Sequence, residues 1–151
     1  MVTKYFSFKG SYLVEYIPTI YALTNKGHKV YIISPWINSE VKLRRSWKYP
    51  TEEISLFHLI EDERKNGVIT EIFISSMGSS ETKTDKSIKK FESNNIKVTE
   101  VKGLHSKAII GQNLMYEGSA NITYGGLYSN KESGILIPVE NQSVALRRVL
   151  T

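Results

Sequence analysis

Two short segments place polar side chains at a spacing that suits phosphate chemistry. The first contains His105 and Lys107, and the second contains Gly118, Ser119 and Asn121. If the first segment is a strand, the imidazole and the ammonium project from the same face. Such a pair forms an anion site, and the nearby positive charge favours a neutral, nucleophilic imidazole.

The second segment adds hydrogen-bond donors to that chemistry. Gly118 and Ser119 follow an apolar stretch at a turn, and Asn121 contributes an amide. Backbone N–H groups, a hydroxyl, an amide and an ammonium around one point stabilise the charge of a phosphoryl transition state. Taken alone, each segment is also explained by an idle histidine or by a turn with a helix cap. Their combination in this order is far less easily explained by chance and favours a site for phosphoryl chemistry.

Alternating helices and strands must position the two segments. Apolar residues at helical spacing predict helices over 12–23, 51–66, 86–94, 119–128 and 141–150. Pro18 predicts a late start or a kink in the first helix, and 77–84 reads as a polar loop. β-Branched and apolar runs predict strands over 29–34, 68–75, 96–99, 107–111, 114–117 and 131–138. This order predicts an α/β layered domain with a mixed β-sheet flanked by helices, formed as a single domain over 1–151.

The two segments resemble the HKD motif of the phospholipase D superfamily, which reads His-x-Lys, then Asp, then Gly-Ser-x-Asn. The residues that match this pattern are His105, Lys107, Gly118, Ser119 and Asn121. The run 30–37, with Ser34, Pro35 and Trp36 at its end, is similar to the first core strand of the family. The resemblance covers about 12–138 and implies a phospholipase D-like fold.

The resemblance also implies roles for the matched residues. His105 would attack phosphorus and form a phosphohistidine, Lys107 and Asn121 would hold the non-bridging oxygens, and Ser119 would add a hydrogen bond. Family enzymes carry an acidic residue downstream that orients the histidine, and Glu132 is expected in that role. An exposed glutamate at a strand edge is the alternative interpretation of Glu132. These groups would take the place of a metal ion, so no cofactor is expected.

The chain departs from the family pattern in two ways. Gln112 stands at the position of the motif Asp, and the gap to Gly118 is shorter than usual. The family Asp is mostly structural, but its replacement leaves open a catalytically degenerate, binding-only module. The chain also contains one motif where family sites use two, and His28 and His58 are interpreted as structural. Single-motif members pair two copies across a twofold axis, which implies a homodimer.

Charge and composition favour a nucleic-acid substrate. The chain has 151 residues and a formal net charge of +5, which favours a polyanionic partner, although a solvated basic surface has the same composition. Basic and aromatic residues alternate at Lys42, Arg44, Arg45 and Trp47, and these are predicted to hold phosphates and stack on a base. The alternatives for this segment are a mobile basic loop or a tryptophan that belongs to the core.

The leading prediction is a metal-independent nuclease, most simply an endonuclease, that cleaves DNA or RNA as a homodimer. A lipid phosphodiesterase would share the chemistry, but no membrane-facing pattern stands out. The chain has no cysteine, which excludes disulfides and cysteine-based zinc sites. Without a signal-peptide pattern or an apolar stretch of roughly 20 residues, the protein is expected to be cytoplasmic and not to bind membranes.

Overall fold

The computed structural model describes residues 6–9, 12–45, 53–75 and 82–151. In chain order, the strands within these ranges are β1 (Phe6–Lys9), β2 (Lys29–Ile33), β3 (Lys42–Arg44), β4 (Glu53–Ser55), β5 (Ile69–Ser75), β6 (Lys97–Val101), β7 (Ala108–Ile110), β8 (Leu114–Gly118) and β9 (Ser133–Pro138). The α-helices are α1 (Leu13–Ala22), α2 (Leu56–Lys65), α3 (Thr82–Ser93) and α4 (Gln142–Leu150). A π-helical turn covers Gly125–Ser129.

The described strands form one large mixed sheet and a separate hairpin. The large sheet has seven strands in the order β1-β9-β8-β7-β2-β5-β6, and β3 pairs with β4. Strands β2, β5 and β6 are parallel, whereas β7 is antiparallel to both β2 and β8, and β9 is antiparallel to β8. The carboxyl ends of β2 and β8 therefore lie at the same edge as the amino ends of β7 and β9. This convergent edge is defined by Ile33, Ala108, Gly118 and Ser133.

Helices cover both faces of the large sheet. In β2, Val30 and Ile32 join a core cluster that also contains buried residues of α1, α2 and α3. Ile33, from the opposite face, joins a smaller cluster with Val149 of α4. This alternation is the two-residue period of a strand that is buried on both sides. The architecture confirms the predicted α/β layered domain with a mixed sheet flanked by helices.

The first predicted helix is confirmed: α1 begins at Leu13 and continues through Pro18, because its buried face packs into the larger core cluster. The predicted helix over 119–128 forms only in its second half, as the π-helical turn. Its first half is wrong, because Ile122 forms a parallel bridge with Ile37. The backbone at Ile122 is paired with another segment and is unavailable to a helix.

The sequence patterns did not predict the short elements or the starts of two helices. The β3–β4 hairpin was not predicted, because three-residue strands are too short to show a period. α2 begins after Ser55, whose hydroxyl accepts a hydrogen bond from the backbone N of His58 at 3.2 Å, and the predicted start at Thr51 lies outside the described residues. α3 begins at Thr82, inside the predicted loop, and 77–81 of that loop lie outside the described residues.

Gln112 joins the β7–β8 turn to the end of α1, at the edge of the sheet opposite the convergent edge. Its Oε1 accepts from the backbone N of Asn25 at 2.8 Å, and its Nε2 lies 3.2 Å from Nε2 of His28. Its own backbone N donates to Oγ1 of Thr24 at 3.3 Å. The residue at the motif Asp position therefore makes a structural contact, and His28 takes part in it.

The Gln112→Ala variant is expected to lower the free energy of unfolding by roughly 0.5–1.5 kcal/mol, because the N–H of Asn25 loses its acceptor. Gln112→Glu keeps an acceptor at the same reach and should lose less. Urea unfolding of the two variants beside the parent checks this. Equal losses for the two variants would contradict the proposed contact.

Candidate active site

His105 and Lys107 lie at the convergent edge, in the extended segment that enters β7. The strand begins at Ala108, so the predicted strand over 107–111 starts one residue later in the structure. The His105 side chain is exposed and Lys107 is half-buried. Nζ of Lys107 donates to the backbone O of His105 at 2.8 Å, which holds the ammonium next to the histidine.

The end of β8 lies directly beside Lys107. The backbone N of Gly118 donates to the backbone O of Lys107 at 3.1 Å. A Cβ at Gly118 would lie 2.5 Å from the backbone O of Ser133 and 2.7 Å from Cα of Gly134, so glycine is required here. Ser119 continues this close contact, because its Oγ accepts from the backbone N of Ser133 at 3.0 Å and lies 3.2 Å from its carbonyl oxygen. The Ser119 hydroxyl therefore ties β8 to the start of β9.

The side chain of Asn121 is held in one orientation. Its Oδ1 accepts from the backbone N of Trp36 at 3.2 Å and lies 3.4 Å from Oγ of Ser34. A backbone N–H can only donate, so the atom that faces it is the oxygen, and the amide NH₂ points away. Oγ of Ser34 also accepts from the backbone N of Ile122 at 3.0 Å. The end of β2 thus fixes the Asn121 amide, with its two hydrogens on the side away from the backbone N of Trp36.

Tyr116 closes the turn that contains Gly118 and Ser119 and precedes Asn121, and the sequence analysis missed it. Its buried phenol oxygen accepts from the backbone N of Ala120 at 3.0 Å and donates to the backbone O of Ala120 at 3.2 Å. Burial raises the pKa of Tyr116 to about 12, the Ala120 hydrogen bond opposes the rise, and the charge of Glu132 adds to it. Its position two residues before Gly118, on the buried side of a predicted strand, was the signal that could have pointed to Tyr116.

Glu132 lies at the convergent edge, on the far side of β8 from His105. It is half-buried and directly precedes β9, which begins at Ser133 rather than at the predicted residue 131. β8 lies between β7 and β9, so the backbones of these two strands are roughly 10 Å apart. Across the described part of the chain, neither the imidazole of His105 nor the carboxylate of Glu132 makes a hydrogen bond. The orienting role of Glu132 stays a prediction.

The basic residues of the predicted nucleic-acid segment lie on and after β3. Lys42 is exposed, and the hydroxyl of Tyr128, in the π-helical turn, donates to its backbone O. Arg44 forms an ion pair with Glu15 at 3.2 Å, and Arg45 forms one with Asp62 at 3.0 Å. Partly exposed ion pairs contribute about 0–1 kcal/mol, so a phosphate can compete for either guanidinium. Trp47 lies outside the described residues.

An open groove of about 370 Å³ lies beside Asn121, and Trp36 and Tyr124 line it. His105 is not among its lining residues, so the groove adjoins the convergent edge on the Asn121 side. In the ranges that the structure describes, no three His, Asp or Glu side chains lie close enough to hold a metal ion. None of the described helices is long and apolar enough to cross a membrane.

A mixed sheet that gathers His105, Lys107 and Asn121 at one edge defines a phospholipase D-like domain. The chain belongs to the family described as "Cardiolipin synthase, PLD-like domain", which matches residues 1–149. This confirms the resemblance to the phospholipase D superfamily. A comparison with curated protein sequences found no match.

Solved structures share this fold at low sequence identity. Nuc from Salmonella typhimurium, described as a phospholipase D family member, is 13% identical, with a TM-score of 0.69 over 98% of this chain and 90% of that chain. NucT from Helicobacter pylori is 16% identical, with a TM-score of 0.61 over 97% and 91%. TrmBL2, described as an archaeal chromatin protein with a novel mode of DNA binding, is 13% identical, with a TM-score of 0.55 over 97% of this chain and 50% of that chain. At these identities the likeness shows the fold.

Tyr116→Phe is expected to destabilise the protein by roughly 1–3 kcal/mol, because the buried N–H and C=O of Ala120 lose their partner. In a plot of the free energy of unfolding against pH, the variant should also show a smaller decline at alkaline pH, here called the alkaline limb. The unfolded phenol ionises near its ordinary pKa of 10.0, whereas the folded one keeps its proton to about 12, so stability falls as pH rises through that window.

Urea unfolding between neutral pH and this alkaline range measures both effects. Tyr12→Phe, at an exposed ring outside the turn, is the matched control. Part of the decline should persist in Tyr116→Phe, since burial also raises the pKa of Tyr21. Identical alkaline limbs for Tyr116→Phe and its parent would show that the buried phenol does not control this decline.

Proposed function

We propose that this chain is a metal-independent phosphodiesterase, acting as an endonuclease on DNA or RNA through a phosphohistidine in a homodimeric site. The observation that carries the proposal is the gathering of an exposed imidazole, an ammonium and an oriented amide at one sheet edge. A nucleophile beside groups that bind anionic oxygens is the arrangement that phosphoryl transfer requires. The family supports the chemistry, and the basic charge and the DNA-binding description of TrmBL2 support a nucleic-acid substrate.

The reaction would proceed in two displacements at phosphorus. The imidazole of His105 forms a P–N bond as the bond to the leaving oxygen breaks, and the partner subunit's His105 gives its proton to that oxygen. The partner subunit's His105 then takes a proton from water, whose oxygen attacks phosphorus and breaks the P–N bond. Lys107 and Asn121 hold the non-bridging oxygens, and Glu132 orients the histidine. Ser119 adds a hydrogen bond by turning its hydroxyl hydrogen from the backbone O of Ser133 to the substrate.

The need for two histidines leads to the homodimer. In-line displacement places the nucleophile and the leaving oxygen on opposite sides of phosphorus, so one imidazole cannot serve both. The chain carries one His-x-Lys motif, and His105 is exposed at the convergent edge, where a second copy can approach. A twofold axis at this edge would bring two identical motifs to one phosphate.

Lys42, Arg44, Arg45 and Trp47 are proposed as further nucleic-acid contacts. The hairpin that carries Lys42 and Arg44 touches the π-helical turn through Tyr128, and this turn follows Asn121 in the chain. Phosphates bound there would replace Glu15 and Asp62 as partners of the arginines.

The second candidate function is a nucleic-acid-binding module without catalysis. It is favoured by the separation of Glu132 from His105, which leaves the imidazole ring without a hydrogen-bond partner among the described residues. A lipid phosphodiesterase is the third class, since the family description names cardiolipin synthase.

The wild-type protein is expected to cleave labelled single- or double-stranded DNA or RNA in EDTA. His105→Ala should lose roughly a thousandfold or more of this rate, because the nucleophile and the general acid are both removed. His28→Gln, beside Gln112 at the opposite edge of the sheet, is the matched control and should retain activity. Strict dependence on added magnesium would contradict the mechanism, and binding without cleavage by the wild type would favour the binding module.

Mixing experiments are expected to show that two chains share each site. When wild-type and His105→Ala subunits are mixed and re-equilibrated, only dimers of two wild-type subunits carry both histidines. Activity should then fall as the square of the wild-type fraction, to about one quarter in an equal mixture. A linear decline to half, measured with the substrate identified above, would show that each chain works alone.

A further inference from the structure

The groove beside Asn121 has two exposed aromatic rings in its lining. Trp36 is 37% exposed and Tyr124 is 41% exposed, although both follow buried core segments. The groove volume of about 370 Å³ lies within the usual size of small-ligand sites, roughly 300–1,000 Å³. Aromatic surface left open beside an anion site is surface that a ligand can cover.

Both rings are attached to fixed backbone, so little freedom remains to be lost when a ligand binds. The hydroxyl of Tyr124 donates to the backbone O of Glu40 at 3.1 Å, and its ring lies 5.8 Å from that of Tyr128. The backbone N of Trp36 is bound to Oδ1 of Asn121. The Tyr124 ring is therefore preorganised and the Trp36 ring starts from a fixed backbone, which lowers the entropic cost of binding a flat partner.

Polar groups in the same lining offer donors to the rim of a flat ligand. Oδ1 of Asn38 accepts from the backbone N of Glu40 at 2.9 Å, which turns the amide NH₂ of Asn38 outward. Oγ1 of Thr123 accepts from the backbone N of Gly126 at 3.1 Å and keeps its own hydrogen to donate. Nucleobases present carbonyl and ring-nitrogen acceptors at their edges. The lining thus matches both the face and the edge of a base.

A second hollow adjoins the groove and has lysine side chains in its lining. It has a volume of about 310 Å³, shares Asn38 and Tyr124 with the groove, and reaches Lys86 and Lys90 on α3. Lys90 pairs with Glu40 at 3.0 Å and so offsets the one acidic side chain among the residues lining this hollow. Lys86 is exposed. A strand that enters at Asn121 would therefore find a cation at the far end for a following phosphate.

We propose that this groove is the base-binding subsite of a single-stranded nucleic acid, in which an unpaired base beside the scissile phosphate stacks on Trp36 and Tyr124. The inference rests on the proposed phosphodiesterase and names its substrate class. A base inside a duplex has both faces covered by its neighbours, so only an unpaired base can offer a face to these rings. A lipid headgroup has no such face.

The test measures binding in the His105→Ala background, where cleavage does not interfere. Fluorescence anisotropy follows a labelled single-stranded oligodeoxynucleotide, the same strand with one abasic nucleotide at successive positions, and its duplex. Trp36→Ala and Tyr124→Ala should each weaken single-strand binding about 5- to 100-fold, the size of one lost stacking contact. Trp36→Phe and Tyr124→Phe keep a ring and should bind within about threefold of the parent. Tyr12→Ala removes an exposed ring outside the groove and is the control.

The abasic series identifies the base that stacks. At one or two positions of the strand, loss of the base should weaken binding by the parent protein as much as Trp36→Ala weakens binding of the intact strand. The abasic nucleotide and Trp36→Ala together should weaken binding no further. Equal weakening of single strand and duplex by the alanine variants would overturn the inference, and so would no weakening. Displacement of the oligonucleotide by phosphatidylglycerol vesicles, with loss of that displacement in Trp36→Ala, would assign the groove to lipid and also overturn it.

The proposed function is judged separately. Hydrolysis of bis(p-nitrophenyl) phosphate by the wild type in EDTA, absent in His105→Ala, tests the phosphodiesterase without reference to a strand. A wild type that binds single strands through Trp36 yet hydrolyses neither this ester nor nucleic acid would refute the enzyme and leave the base subsite standing. If the wild type hydrolyses the ester while Trp36→Ala and Tyr124→Ala bind all strands normally, the enzyme stands and the base subsite is refuted.

Discussion

The three-residue strand β7 pairs antiparallel with both β2 and β8, and the site depends on this pairing. Because β7 runs opposite to its neighbours, the residues that enter it lie beside the residues that leave them. His105 and Lys107 thereby lie at the same sheet edge as Asn121 and the Ser34 end of β2. A parallel β7 would place Gln112 at this edge and carry His105 to the other side of the sheet. All three residues of β7 are buried, so a loss of its ladder would leave polar backbone groups unsatisfied.

Side chains outside the motif hold its donors in place. The backbone N of Trp36 donates to the Asn121 oxygen and so fixes the orientation of the amide. Tyr116 closes the turn that precedes Asn121. Gly118 permits the close approach of β8 and β9 at Ser133. Groups that are oriented before the substrate arrives need no reorganisation during the reaction, which is the source of most electrostatic catalysis. His105 differs from them, since its ring is exposed and makes no hydrogen bond to the described residues.

Local patterns predicted the long elements and missed the short ones. The β-branched run over 29–34 became β2 because both of its faces are buried, and the helix over 141–150 began at the cap Asn141. The β3–β4 hairpin gave no signal, since three residues cannot show a period. The first half of the predicted helix over 119–128 failed because Ile122 pairs with Ile37, a partner far away in the chain, and only the π-helical turn formed. Long-range pairing outweighed local propensity in that segment.

The amino-acid sequence by itself determined the chemical groups and their local spacing: His105 with Lys107, and Gly118 with Asn121. It did so because reactive groups belong to side chains, and positions two apart on an extended segment share a face. Only the tertiary structure decided that Trp36 and Tyr116 join these groups, that Gln112 lies at the opposite edge, and that β8 separates Glu132 from His105. Strand order and direction arise from backbone pairing between distant segments, and the spacing of residues along the chain does not encode that pairing.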